Sequence, residues 1–196
     1  MPAISAYAPG KTILVGEHAV VYSQPAIAIP VHQVKAMVMV QPDILGKSGQ
    51  VIFNAPDINL HSTSENLNSH HPFNVALNAI KQQIFSDHVP ACKVNIKSTV
   101  PIASGLGSSA AISVALIKAL GSFVGLTLSK TQIADLAYEV EIQYHGTPSG
   151  IDNTVIAFDQ PILFKKGEGF HIINPASDFT FIVANSGING NTKQAV

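Results

Sequence analysis

Arginine and tryptophan are both missing from the 196 residues. All 11 basic side chains are therefore lysines, set against 12 acids. Without guanidinium forks, a bound anion must be held by lysine, by backbone N–H groups or by helix N-termini. The net charge of −1 gives no electrostatic footprint for nucleic acid or for an anionic membrane. The one cysteine, Cys92, rules out an intrachain disulfide and a cysteine zinc cluster. It fits a reducing compartment. The first residues lack the basic region and apolar run of a secretory leader. The most apolar stretch, residues 110–126, is broken by Lys118 and two glycines, and is short for a membrane span of about 20 residues. The expectation is a cytoplasmic, soluble protein that binds neither nucleic acid nor membrane.

What is present is a globular composition. Apolar residues make up 46% and charged residues 12% of a 20.7 kDa chain. That is too apolar for a disordered chain and large enough for one domain with a core, or for two very small ones. The pattern predicts short strands at 4–8 and 12–15 around a Pro9-Gly10 turn, and a longer strand at 31–40. A turn follows at 42–48, then a polar loop over 55–72 with His61, His70 and His71. Periodicity predicts a helix over 73–85, an alternating strand over 92–99 and an apolar helix over 108–120. A further helix spans 129–144, with Ser129 as N-cap and Gly146 as stop. Strands are predicted at 154–158, 162–164, 170–173 and 179–184. The class is α+β. Residues 185–192 read as a loop and 193–196 as the first turn of a helix, so the chain is expected to be part of a longer one.

Three segments could carry chemistry. The first is Pro101-Ile-Ala-Ser104-Gly105-Leu106-Gly107-Ser108-Ser109-Ala110-Ala111, between a predicted strand and a predicted helix. Glycines let backbone N–H groups approach an anion, and the helix adds its unpaired N–H groups. The other reading is a tight turn with a serine cap. No Walker Gly-Lys-Ser/Thr run exists, and the dinucleotide fingerprint lacks its acid, since residues 111–134 contain no Asp or Glu.

The second segment is Ala8-Pro9-Gly10-Lys11, continuing to Gly16-Glu17-His18-Ala-Val-Val-Tyr22. Its ionisable groups sit in apolar sequence, where burial is costly unless they are paired or working. A solvated surface turn is the alternative. The third segment is Glu139-Val-Glu141-Ile-Gln-Tyr-His145-Gly146-Thr-Pro148-Ser-Gly150-Ile-Asp152-Asn153. Glu141 and His145 share a helix face, and the Gly/Pro turn brings Asp152 near the helix end. One carboxylate could hold a metal and the other handle a proton. A capping Asp152 and a solvated glutamate face would explain the same residues. The three histidines at 61, 70 and 71 lack the tight carboxylate pattern of a metal site.

Together, in this order and spacing, the segments resemble the GHMP small-molecule kinases, and within them the mevalonate kinase group. His18-Ala-Val-Val-Tyr22 departs from the galactokinase pattern, and Gly107-Ser-Ser-Ala110 from that of the diphosphomevalonate decarboxylases. The resemblance implies a ribosomal protein S5 domain 2-like fold: a mixed sheet with helices packed on one side. It implies a GHMP N-terminal, ATP-binding domain over 1–185 and the start of a second domain at 186–196. Family members run on to a second domain with a further glycine-rich motif, which this sequence does not contain.

The activity implied is ATP- and Mg2+-dependent phosphorylation of mevalonate, a step of isoprenoid biosynthesis. The alternatives are another GHMP kinase, acting on phosphomevalonate, homoserine or a sugar, and a non-catalytic nucleotide-binding fragment. By match to the motifs, Pro101 and Ser104 to Ala111 would cradle the ATP phosphates. Ser109 and Glu141 would hold Mg2+, with Ser108 as the rival serine. Asp152 would accept or orient the hydroxyl proton, with Lys11 beside it. Glu17, His18 and Thr192 would contact the substrate. Adenine would lie in the 55–79 region, with Asn74 a candidate contact. A homodimer is left open.

Overall fold

The sheet is organised around one long strand in a computed structural model that describes residues 2–84, 89–178 and 180–184, without the side chains of Tyr144 and His145. β1 (Ile4–Val15) runs antiparallel to β2 (Ala26–Pro42) along its whole length. The opposite edge of β2 is shared. Its C-terminal half pairs with β5 (Cys92–Ser98) and its N-terminal end with β6 (Ile162–Lys165), both antiparallel. β3 (Val51–Ala55) lies parallel to β5, and β4 (Leu60–Thr63) closes that side against β3. β7 (Gly169–Ile172) pairs with β6 at the other end. The sheet is mixed and largely antiparallel.

Four helices among the described residues pack together over this sheet. α2 (Ser108–Phe123) and α4 (Ile151–Phe158) lie directly on β1 and β2. α3 (Lys130–His145) packs on both, and α1 (Pro72–Gln82) packs on α2 and α3. The strand positions under the helices are small: Ala8, Ala28 and Ala36 are fully buried. Small side chains there let the helix backbones come close to the sheet. Alternation does the rest, since Val38 and Val40 point into the core while Met37 and Met39 face the other side. α3 starts as its sequence predicts, with a capping box between Ser129 and Gln132, and ends at Gly146.

The structure corrects four expectations. Pro9-Gly10 is no turn. β1 continues through it, and the register shifts there because Pro9 pairs with Lys35 while Gly10 pairs with Val31. Residues 32–34 of β2 therefore bulge out, a setting in which a strand tolerates proline. The polar stretch 55–72 is not all loop, since it holds a 3-10 turn at Pro56–Ile58 and the edge strand β4. Residues 154–158 are helix α4, not a strand, because tertiary packing on both faces overrides a β-branched run. Residues 180–184 form no strand, and the expected loop and helical turn at 185–196 lie outside the described residues.

Cys92 sits at the start of β5 with no exposed surface. Burial, together with the nearby Asp43 carboxylate, pushes its thiol pKa up to about 12. In the folded protein a disulfide reagent such as DTNB is therefore expected to leave Cys92 unmodified at pH 8, and to titrate one thiol once denaturant is added. Rapid modification of the native protein would contradict the packing of β5.

Candidate active site

Lys11 is placed by β1 and is only 6% exposed. A buried ammonium needs a counter-charge, and Asp152 supplies it: Lys11 Nζ lies 2.9 Å from Asp152 Oδ1. The aspartate is not on the turn expected from sequence. It stands in the first turn of α4, after a left-handed Gly150 N-cap with φ 90°. Ser149 Oγ accepts from the Ile151 N–H, and Thr154 Oγ1 donates back to the Gly150 carbonyl at 2.6 Å. The buried Asn153 amide donates to the Ala134 carbonyl of α3. These bonds fix the entry of α4, and with it Asp152. The side chain of Asp152 remains 36% exposed, so it joins the buried cation to the open side of the site.

The glycine-rich loop lies against Lys11. The Lys11 N–H donates to the Leu106 carbonyl at 2.9 Å, which ties the loop to β1. Gly10 permits this approach, since a Cβ there would meet Val34 Cγ2 at 2.8 Å and the Leu106 oxygen at 3.1 Å. Gly107, with φ 74°, is the N-cap of α2 and lies on the aliphatic stem of Lys11. Ser104 Oγ donates to the Pro101 carbonyl and accepts from the Leu106 N–H, bracing the first half of the loop. Ala110 and Ala111 are buried beneath it as α2 begins.

The two serines of the loop part company. Ser108 Oγ turns back to the Val100 carbonyl at 3.3 Å. Ser109 Oγ donates to Glu141 Oε1 at 2.6 Å. Glu141, on α3, is 6% exposed. A hydroxyl and a carboxylate side by side at the N-terminus of α2 form a pair of hard oxygen donors. That set fits Mg2+ better than a soft metal.

The structure thus brings together Lys11, Asp152, the loop 104–111 and Glu141. Glu17 and His18 are exposed, where the chain leaves β1 and enters a 3-10 turn at Ala19–Tyr22. Thr192 lies outside the described residues. In the 55–79 region a cleft of about 380 Å³ is lined by Ser64, Leu67, Asn74, Leu77 and Lys81. The Asn74 side-chain N–H2 donates to the Ser64, Leu67 and Asn68 carbonyls, and so shapes the loop that walls this cleft. Reading the sequence for chemistry does not reveal the Leu106 carbonyl or Ile156 as parts of the site. Main-chain acceptors and apolar supports carry no signature of residue type.

Residues 70–160 match the family model described as the GHMP kinases N terminal domain. Mevalonate kinase of Pyrococcus furiosus is 32% identical over 98% of this chain and 60% of its own length. Mevalonate kinase of Pyrococcus horikoshii is 34% identical, again over 98% of this chain and 60% of that protein. The chain thus spans about 60% of the length of these curated relatives. Among solved structures, mevalonate kinase of Methanococcus jannaschii superimposes with a TM-score of 0.77 at 27% identity, covering 88% of this chain and 56% of that one.

The two left-handed glycines of the loop should respond differently to alanine. Gly105, with φ 77°, has open space where a Cβ would go, whereas a Cβ on Gly107 would lie 2.8 Å from Lys11 Cγ and 3.2 Å from Ile156 Cδ1. Gly105→Ala is expected to cost about 1 kcal/mol from backbone strain alone. Gly107→Ala should cost clearly more, read as a larger drop in urea midpoint. Equal losses would mean that the loop does not rest on Lys11.

Proposed function

Because this chain belongs to the GHMP kinases, we propose that the protein transfers the γ-phosphoryl group of ATP to the primary hydroxyl of mevalonate, giving 5-phosphomevalonate for isoprenoid synthesis. The observation that carries the reading is the Lys11–Asp152 ion pair, set directly against the glycine-rich N-terminus of α2. Phosphoryl transfer asks for positioning and charge neutralisation more than for covalent chemistry. A carboxylate for the hydroxyl proton, a cation for the transferring group and an N–H cradle for the phosphates meet that need. The three relatives named above are mevalonate kinases, which favours mevalonate over other acceptors.

In this reading backbone N–H groups within residues 104–111 hold the phosphates, and they do so without arginine. Ser109 and Glu141 would hold Mg2+, which when bound neutralises phosphate charge. Asp152 hydrogen-bonds the substrate hydroxyl and takes its proton as the new P–O bond forms. Lys11 keeps Asp152 in place through its ammonium and offsets negative charge gathering on the transferring group. Glu17 and His18, exposed beside the end of β1, face the substrate's polar groups, and Thr192 completes that contact. The cleft beside Asn74 takes the adenine. Transfer happens inside the cell, in a soluble enzyme that acts alone or as a homodimer.

The test is ADP release from Mg-ATP by the complete natural chain, offered mevalonate, phosphomevalonate, homoserine or galactose. Mevalonate alone is expected to support turnover. Asp152→Asn should lower kcat by about 10²-fold or more while nucleotide still binds. Glu141→Gln should instead raise the Mg2+ concentration needed for half-maximal nucleotide binding. Turnover with a different acceptor would move the substrate and keep the site, whereas near-normal turnover in Asp152→Asn would remove the proton-handling role.

A further inference from the structure

Asp159 breaks two local rules at once. It closes α4 in a left-handed conformation (φ 55°, ψ 44°), where glycine or asparagine is usual. It also puts a negative charge at a helix C-terminus, which already carries partial negative charge. Neither choice helps an isolated helix, so the compensation has to be tertiary.

Three other elements supply it. His32, in the β2 bulge, places Nε2 2.7 Å from Asp159 Oδ1. Lys130, the first residue of α3, donates from Nζ to the Phe158 carbonyl at 2.6 Å, satisfying an otherwise open carbonyl at the end of α4. Lys118 of α2 feels the same charge: burial lowers its pKa, Asp159 opposes that shift and Lys130 adds to it. The titratable groups converging here are thus His32, Lys118, Lys130 and Asp159, one from each element.

Each of these elements carries part of the candidate active site elsewhere along its length. The β2 bulge presses Val34 against Gly10. α2 begins with the glycine-rich loop, α3 carries Glu141, and α4 begins with Asp152. Asp152 and Asp159 lie at opposite ends of an eight-residue helix, about 10 Å apart along its axis. A helix of two turns has little cohesion of its own, so its aim depends on how its ends are held.

We propose that Asp159, held by His32 beside the Lys130 bond to the Phe158 carbonyl, is a positioning residue that aims Asp152 by fixing the far end of α4. Its effect on turnover rests on the kinase reading above, while its effect on α4 does not. An exposed side-chain contact adds little to global stability, so the clamp should show in the placement of Asp152 rather than in the melting temperature.

The variant to make is Asp159→Gly, in the complete natural chain. Glycine suits the left-handed conformation and removes both the side chain that His32 holds and the conflict with the helix dipole, so folding is retained. Hydrogen–deuterium exchange should quicken in peptides covering residues 151–159, with no fall in melting temperature. In the ADP-release assay kcat should drop about tenfold, with KM for ATP and acceptor unchanged. His32→Ala should reproduce both effects, and His32→Gln, which keeps a side-chain donor, should restore them. Unchanged exchange across α4 in Asp159→Gly overturns the proposal, and so does a kcat loss that only tracks a falling melting temperature. If the unaltered protein turns over none of the acceptors, the kinase reading fails, and the exchange data still decide the clamp.

Discussion

Burying the ammonium of Lys11 is the constraint around which the rest is arranged. A lysine that is 6% exposed must meet a negative charge or give up its own, and the structure answers with Asp152 at 2.9 Å. That one contact joins residues 141 positions apart. It requires the chain to leave α3 through Gly146, Pro148 and Gly150, and to restart as α4 with the aspartate in its first turn. It also requires glycine at 107, because the stem of Lys11 occupies the space where a side chain would stand. The Lys11 N–H then holds the loop through the Leu106 carbonyl. One residue thus connects strand, loop and helix by its backbone, its methylenes and its charge.

The missing arginine has its counterpart here. With no guanidinium available, positive potential for an anion comes from the start of α2 and from Lys11 behind it. The serines at that helix start are set by what they face. Ser108 is turned back to the Val100 carbonyl, so Ser109 alone is paired with a carboxylate. Glu141 is as buried as Lys11, and both are drawn in by polar partners rather than by apolar packing. A buried cation and a buried carboxylate, each bound to a partner beside the same loop, give a site polarised before any ligand arrives.

Much of this was legible in the sequence where one signal dominated. Alternation in β5, the apolar run of α2 and the Ser129 N-cap and Gly146 stop of α3 each announce their element, and the structure agrees within a few residues. Legibility failed where local preference and packing disagree. Thr154-Val-Ile-Ala-Phe158 opens with three β-branched residues and is otherwise apolar, so periodicity cannot tell a buried strand from a buried short helix. Pro9-Gly10 reads as a turn because the bulge that accommodates it lies in the partner strand. For the site, residue types pointed to Lys11, Glu141 and Asp152, and the match to the family motif put Ser109 ahead of Ser108 as the partner of Glu141. Residue type alone could not choose between the two serines, because that depends on the rotation of α2 about its own axis.

The helical state of 151–158 is more than a correction of one element. Lys11 touches Asp152 with its ammonium, while Ile156 and the lysine's own Cγ crowd the same point above Gly107. Residues 152 and 156 must therefore lie close together on one face. In a helix, positions four apart are neighbours about 6 Å apart. In a strand they would also share a face, but about 13 Å apart, farther than the two ends of one lysine side chain can bridge. Only the helix lets a single segment offer a carboxylate to the ammonium and a methyl group to the loop. The conformation that local propensity argues against is the one that the buried lysine demands.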